Sequence, residues 1–250
     1  MTRANPASTP IASSKSAALA RVLDSVPKGY RFYVAGKCPA ERAIALARKF
    51  HLRYGVGCSP AQRITRRKRG EANTLLVMYW PAFGAEPGDS DMVADEFSER
   101  ASGADEGTGA APAKRLPDDS VQWVLLATAG TGPVWEQESL QPLEEKPRLV
   151  FCGYEFVRRA SRGRTTWTWR RTKEEMADWY ALLGDQLARR QVSAAAQTLE
   201  MICRQPGFAG VREQGRELCL FARARGFKRD LPTLFFMQKI SHGERMKLSP

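Results

Sequence analysis

Histidine is scarce in this sequence: its 250 residues include only His51 and His242. A His-rich metal site is therefore excluded. The five cysteines are odd in number and form no CxxC pair, which argues against a zinc ribbon and against a disulfide framework. We expect most of them to serve as small apolar residues in a reducing cytoplasm, and we expect the protein to need no metal and no cofactor.

Long hydrophobic runs are missing as well. No stretch of about 18 apolar residues occurs, so the sequence predicts no membrane span. Residues 1–15 are rich in Ala, Ser, Thr and Pro and lack the apolar segment of a secretory signal. We interpret them as a flexible tail ahead of a single unit over residues 16–250. These absences favour a cytoplasmic protein with no membrane partner.

Acidic residues are concentrated in one segment of a basic chain. The net charge is +12, yet residues 81–120 hold ten acids against three bases. Residues 82–118 show no periodicity and predict an acidic, partly disordered insertion. The rest of the chain is strongly basic, which favours nucleic acid as the partner, ahead of an anionic membrane face. A generically basic soluble protein is the alternative.

Hydrophobic periodicity predicts an α+β fold, because strands and helices are mixed but do not alternate as βαβ units. The opening order indicates a ferredoxin-like (RRM-like) antiparallel sheet core with an inserted basic helix, followed by a helical portion over 172–226. The predicted strands cover 29–36, 73–81, 121–130 and 231–240, a hairpin covers 155–171, and the helices cover 38–55, 59–70, 193–204 and 209–226, with one more beginning after Thr172.

The basic stretch SPAQRITRRKRGE, residues 59–71, is predicted to be a helix. Ser59 and Gln62 form a capping box, Pro60 suits the first helical position, and Gly70 can end the helix. A rigid rod of cations can neutralise phosphates along a groove. A solvated surface helix is the alternative. The candidate nucleic-acid-binding residues are Arg63, Arg66 and Arg67, which share a face, together with Lys68 and Arg69.

The hairpin is the second candidate site, because Arg residues surround Trp167 and Trp169. Aromatic rings interleaved with Arg suit base stacking combined with phosphate binding. In the alternative, both Trp residues belong to the core and only the Arg residues face solvent. The candidate binding residues here are Arg158, Arg159, Arg162, Arg164, Arg170 and Arg171.

Catalytic motifs are absent: no GxSxG, Walker loop, GxGxxG or HExxH occurs. Metal-independent RNA cleavage remains open, because the 2′-OH supplies the nucleophile and the protein must only align it, accept a proton and stabilise charge. Arg31, Arg42 and His51 are the candidate catalytic residues, on the first strand and the first helix. An ordinary surface or half-buried histidine is the alternative for His51.

Three segments carry a resemblance to known proteins: GYRFYVAG, SPAQRITRRKRGE and TTWTWRRT. They resemble proteins encoded on plasmids and integrative elements of proteobacteria, and in size and basicity the chain is similar to the CRISPR-repeat-processing endoribonuclease of type IV CRISPR systems. That resemblance implies a ferredoxin-like core, metal-independent cleavage, and continued binding to the guide RNA. Helix 59–70 would correspond to the helical finger that contacts the repeat hairpin.

Three hypotheses for function follow. The first is an endoribonuclease that binds an RNA stem-loop, matures crRNA with a 2′,3′-cyclic phosphate product, and stays in a ribonucleoprotein complex. The second is a non-enzymatic DNA- or RNA-binding protein of a mobile element. The third is a structural subunit of a ribonucleoprotein, in which the acidic insertion docks on a basic subunit.

Overall fold

The computed structural model describes residues 11–12, 14–81, 120–161 and 163–235. The predicted insertion over 82–118, the side chains of Arg162 and His242, and residues 1–10 lie outside the described residues. The chain divides into two compact units. In their described parts, unit 1 comprises residues 11–81 and 120–152, and unit 2 comprises residues 153–235.

Unit 1 has four helices and six strands among its described residues. The helices are α1 (Lys15–Leu23), α2 (Ala40–Tyr54), α3 (Pro60–Lys68) and α4 (Pro133–Gln137). The strands are β1 (Ile11–Ala12), β2 (Tyr30–Pro39), β3 (Thr74–Tyr79), β4 (Ser120–Thr128), β5 (Gln141–Pro142) and β6 (Val150–Phe151). The predicted strands and helices of this unit are thus formed, with ends shifted by a few residues.

Five strands of unit 1 form one sheet in the order β1-β3-β4-β2-β5. β4 lies between β2 and β3 and runs antiparallel to both, so β2 and β3 are parallel to each other. β5 pairs antiparallel with β2, while β1 pairs parallel with β3. The predicted α+β class is confirmed. The sheet is mixed rather than wholly antiparallel, because β1 adds a parallel strand at one edge.

The centre of the sheet is apolar on both faces. All residues of β3 are buried, and the strand contacts α1 as well as α2. A strand covered on both faces needs no alternation of polar and apolar residues, which explains the continuous run TLLVMY. On the α2 side the core contains Ala43, Ala47 and Phe50, packed with Leu76 and Leu125.

The last described residues of the predicted tail, Ile11, Ala12, Ser14 and Lys15, have defined contacts or secondary structure. Ile11 is buried and pairs with Met78, and the hydroxyl of Ser14 accepts a 3.2 Å hydrogen bond from the Ala17 amide at the start of α1. The sequence pattern gave no prediction of α1. Its helix begins with a local N-cap and buries small residues against β3, so packing holds a segment whose composition is typical of a tail.

Unit 2 combines a hairpin with three helices. Strands β7 (Tyr154–Ser161) and β8 (Arg164–Arg171) are antiparallel, and α5 (Lys173–Ala188), α6 (Val192–Arg204) and α7 (Ala209–Ala224) follow. Together with the four of unit 1, these make seven helices in the described part of the chain. Thr172 caps α5 by accepting a 3.2 Å hydrogen bond from the Glu175 amide, as its position predicts.

The predicted last strand over 231–240 is not found in its described half. Residues 231–235 have no regular structure, and residues 236–240 lie outside the described part. Leu231 and Leu234 instead pack against the core that α5, α6 and α7 share. None of the helices described is long and apolar enough to cross a membrane.

Candidate nucleic-acid interfaces

Helix α3 begins with a complete capping box. The Ser59 hydroxyl accepts a hydrogen bond from the Gln62 amide at 3.3 Å, and the Gln62 side chain accepts one from the Ser59 amide at 2.8 Å. Pro60 occupies the first helical position. These local contacts satisfy the amides that a helix start leaves unpaired, so the basic segment is a helix as predicted.

Arg63 points into unit 1 rather than outward. Its guanidinium donates to the main-chain carbonyls of Val56 at 3.0 Å and Cys58 at 3.1 Å, and it also donates to the Tyr30 hydroxyl. The carbonyls belong to the turn that joins α2 to α3. Arg63 therefore stabilises that turn, and its contact with a nucleic acid stays a prediction.

Arg66 makes a second anchor. It donates a 2.7 Å hydrogen bond to the carbonyl of Tyr54, the last residue of α2, and its Nε lies 3.4 Å from Glu71 Oε2. The Tyr54 carbonyl also accepts a 2.9 Å hydrogen bond from the Thr74 hydroxyl. A cation at the C-terminus of a helix is stabilised by the helix dipole. Arg66 thus joins α3 to α2 in this structure, and its contact with a nucleic acid stays a prediction.

Three of the five cations predicted to bind nucleic acid lie on the outward side of α3 and at its end. Arg67 and Lys68 are exposed and form no ion pair with any described residue. Arg69 is 71% exposed at its side chain and lies 4.0 Å from Glu71. Ile64, an apolar residue in this basic helix, is 59% exposed. Its spacing from Arg67 and Lys68 places all three on one face, and that i, i+3, i+4 spacing was the available signal.

Arg171 is a core residue, which corrects its assignment to nucleic-acid binding. It is 1% exposed, and its guanidinium donates to Gln205 Oε1 at 2.6 Å and to the carbonyls of Ile202 at 2.9 Å and Val211 at 3.3 Å. Glu175 lies 3.7 Å away. Burial lowers the pKa of Arg171. A buried guanidinium is tolerated here because each side of it meets an acceptor.

Two further Arg residues of the hairpin are paired with carboxylates. Arg159 forms a two-bonded pair with Glu213 at 2.9 and 3.2 Å, and the hydrogen bond to Glu213 raises the pKa of Arg159. Arg170 donates to Glu155 at 2.8 Å across the strands. Such pairs offset most of the positive charge that an RNA phosphate would meet. Because the charges of Arg159 and Arg170 are paired within the protein, these two residues are weaker candidates for binding a phosphate.

The two tryptophans of the hairpin differ in how deeply they are buried. Trp169 is fully buried, while Trp167 is half-buried and stacks on Phe156 with ring centroids 4.9 Å apart. The Arg158 guanidinium lies 5.7 Å from the Trp167 ring centroid. Arg164 is exposed near the turn. Of the six predicted hairpin cations, Arg158 and Arg164 remain accessible, and Arg162 lies outside the described residues.

The structure does not bring the three candidate catalytic residues together. Arg42 and His51 lie nine positions apart on α2, which corresponds to about 13 Å along the helix axis. Arg31, on β2, forms a 3.0 Å ion pair with Glu144 in which both side chains are about half exposed. The Nδ1 atom of His51 is buried and has no hydrogen-bond partner.

Carboxylates, thiols and imidazoles are scattered in the described part of both units. No group of three or more is placed there so as to hold a metal ion. Of the predicted nucleic-acid-binding residues that the structure describes, five are exposed: Arg67, Lys68 and Arg69 in unit 1, and Arg158 and Arg164 in unit 2.

Comparison with known proteins adds no family to this description. No family model, no curated protein and no solved structure matches the chain. Inference about function therefore depends on the geometry of the residues themselves.

Proposed function

We propose that this chain binds RNA, and that helix α3 makes the principal contact of unit 1. The observation that carries the proposal is that the five basic residues of α3 and its C-terminal cap differ in what they contact. Arg63 binds the turn between α2 and α3, and Arg66 binds the last residue of α2. Arg67, Lys68 and Arg69 are exposed instead. Cations on a fixed support lose less conformational freedom when they bind phosphate than cations on a mobile tail.

A stem-loop is the form of RNA that suits this helix. The major groove of A-form RNA is too deep and narrow for side chains to read, so a short helix must approach where a stem ends or opens. The helix is nine residues long, or about 13 Å, which limits its contact to a few phosphates. Ile64 lies among the cations, and its apolar side chain can pack against an unstacked base.

We also propose that the sheet and helices of unit 1 form a ferredoxin-like core. Strands β5, β2, β4 and β3 lie side by side in that order, and the chain visits them as β2-α2-β3-β4-α4-β5 with α3 inserted. This corresponds to a split βαβ arrangement with a very short second helix and last strand. In this interpretation the basic helix is an insertion between the first helix and the second strand of an RNA-binding core.

The binding test uses the full chain and a labelled RNA stem-loop. The Arg67→Ala/Lys68→Ala variant should bind at least about tenfold more weakly, because contacts between charged groups contribute about 1.5–3 kcal/mol each. The matched control is Lys28→Ala/Lys146→Ala, which removes the same charge from exposed sites elsewhere in unit 1. Equal weakening in both variants would overturn the assignment to α3. A DNA hairpin and a single-stranded RNA, used as competitors, identify the preferred ligand.

Cleavage of the bound RNA is the second candidate function, in the form of repeat stem-loop processing. It is favoured by His51, a half-buried histidine on α2 with one ring nitrogen buried and unpaired. Its Nε2 would accept the 2′-OH proton, and Arg42 is too far along the helix to assist at the same phosphorus atom. Product with a 2′,3′-cyclic phosphate should form in EDTA and be lost in His51→Ala. Intact RNA across a panel of stem-loops would leave binding as the function.

A further inference from the structure

Two buried cysteines face each other in the helical core of unit 2. Cys203 is on the last turn of α6 and Cys219 is on α7, and their sulfur atoms are 3.8 Å apart. Only 3% of Cys203 and 5% of Cys219 is exposed. Both are free thiols. A disulfide bond needs a sulfur–sulfur distance of about 2.05 Å, so small side-chain movements would bring the two sulfur atoms to bonding distance.

The charges around the pair favour a thiolate on Cys219. The two thiols share one hydrogen bond, which either sulfur can donate. When Cys203 donates, the bond lowers the pKa of Cys219 and raises the pKa of Cys203. The positive charges of Arg171 and Arg223 also lower the pKa of Cys219, whereas burial opposes them. Arg171 is itself buried, and Glu175 is the acidic group in its ion pair.

We propose that Cys203 and Cys219 form a reversible, oxidation-dependent disulfide that joins α6 to α7. With hydrogen peroxide as the oxidant, the Cys219 thiolate attacks one peroxide oxygen and breaks the O–O bond. Cys219 becomes a sulfenic acid, and the other oxygen leaves as water after it is protonated. The Cys203 thiol then attacks the Cys219 sulfur, which forms the S–S bond and releases a second water. Two thiols lose two electrons in total, and these reduce one molecule of hydrogen peroxide. A cellular dithiol or glutathione reverses the reaction by thiol exchange.

The irregular segment 231–235 contacts both helices that carry the pair. The Phe235 amide donates a 2.9 Å hydrogen bond to the carbonyl of Cys203, and Leu234 packs against α7 near Gly215, one turn before Cys219. The described residues of this segment form no helix and no strand. Local opening of such a segment has a low free-energy cost compared with global unfolding, so an oxidant can reach the core without unfolding the unit.

The test is peptide mapping of the folded, full-length protein after hydrogen peroxide treatment. Non-reducing tryptic digestion should give one cross-linked species that joins peptides 191–204 and 217–223, with a mass two hydrogens below the sum of the two. The thiol count of the protein should fall from five to three, and the oxidised protein should melt at a higher temperature because the cross-link restricts the unfolded chain. Dithiothreitol should restore all three measurements. Five free thiols after treatment, or a cross-link between other cysteines, would overturn the proposal.

Single substitutions test the order of the two steps. Cys203→Ala removes the resolving thiol, so Cys219 should accumulate as a sulfenic acid that dimedone captures. Cys219→Ala should leave Cys203 unreactive at the same peroxide dose. The control is Cys58→Ala, which removes a half-buried thiol of unit 1 and should leave the cross-link unchanged. Dimedone on Cys203 in the Cys219→Ala protein would overturn the assignment of Cys219 as the attacking residue.

Discussion

The Arg66 guanidinium donates a 2.7 Å hydrogen bond to the carbonyl of Tyr54, which is the last residue of α2. A basic residue of the predicted binding helix thus serves to fix that helix. Because the bond joins two helices across the turn over 55–59, the direction of α3 is set by unit 1. Its exposed cations are therefore held in a defined position before any ligand arrives.

Arg66→Ala should lower the free energy of unfolding of unit 1 by about 1–3 kcal/mol, because a charged hydrogen bond to a carbonyl is lost. Arg67→Ala is the matched control and should change it by no more than about 0.5 kcal/mol. Urea denaturation followed by circular dichroism measures both. A larger loss for Arg67→Ala than for Arg66→Ala would contradict the described roles.

Arg171→Met should destabilise unit 2 by about 3 kcal/mol or more, since the carbonyls of Ile202 and Val211 and the Gln205 side chain lose their donor. Arg164→Ala, on the same strand but exposed, should leave stability within about 0.5 kcal/mol. Thermal melts of both variants check this. If the Arg171→Met protein has the same melting temperature as the wild type, the guanidinium does not stabilise the core of unit 2.

Two glycines of unit 2 should respond to alanine in opposite directions. A Cβ on Gly210 would lie 2.5 Å from the Trp169 carbonyl oxygen, so Gly210→Ala should cost about 1–3 kcal/mol through overpacking. On Gly184, inside α5, the nearest atom would be 3.8 Å away on Phe221. Gly184→Ala should then gain up to about 1 kcal/mol from helix propensity. An unchanged or raised melting temperature for Gly210→Ala would show that α7 does not pack closely on β8 at this position.

Alkaline pH should weaken unit 1 through Tyr54. Burial, aided by the nearby Glu138 carboxylate, raises the pKa of Tyr54 from 10.0 to about 12. The unfolded chain releases the phenol proton first, so the stabilisation is complete below pH 10 and is lost as the pH rises toward about 12. Stability measured over this range should fall less steeply in Tyr54→Phe. Tyr33, whose pKa burial also raises, contributes in the same way, so part of the slope should remain.

Local signals in the sequence were sufficient for most of the secondary structure. The capping box of Ser59 and Gln62 and the N-cap at Thr172 depend on residues three positions apart, and both are found where the sequence predicts them. The start of α1 has the same kind of signal in Ser14, but an Ala- and Ser-rich composition obscured it. The pairing of Ile11 with Met78 could not be predicted, because it joins residues far apart in the chain.

Side-chain direction was harder to predict than secondary structure. Arg63 and Arg66 turn inward because carbonyls at the end of α2 need donors, and no periodicity in α3 shows that need. Arg171 was predictable in principle. It shares a strand face with Trp167 and Trp169, so an alternating pattern with one buried tryptophan places the arginine in the core as well.

The salt dependence of RNA binding tests the central claim most directly, because the slope of log K against log salt counts the phosphate contacts. If Arg67 and Lys68 each neutralise a phosphate, their replacement by alanine should reduce the magnitude of the slope by about 0.7–0.9 for each lost contact. The Lys28→Ala/Lys146→Ala control should keep the wild-type slope. An unchanged slope in the Arg67→Ala/Lys68→Ala protein would contradict contact between α3 and the RNA.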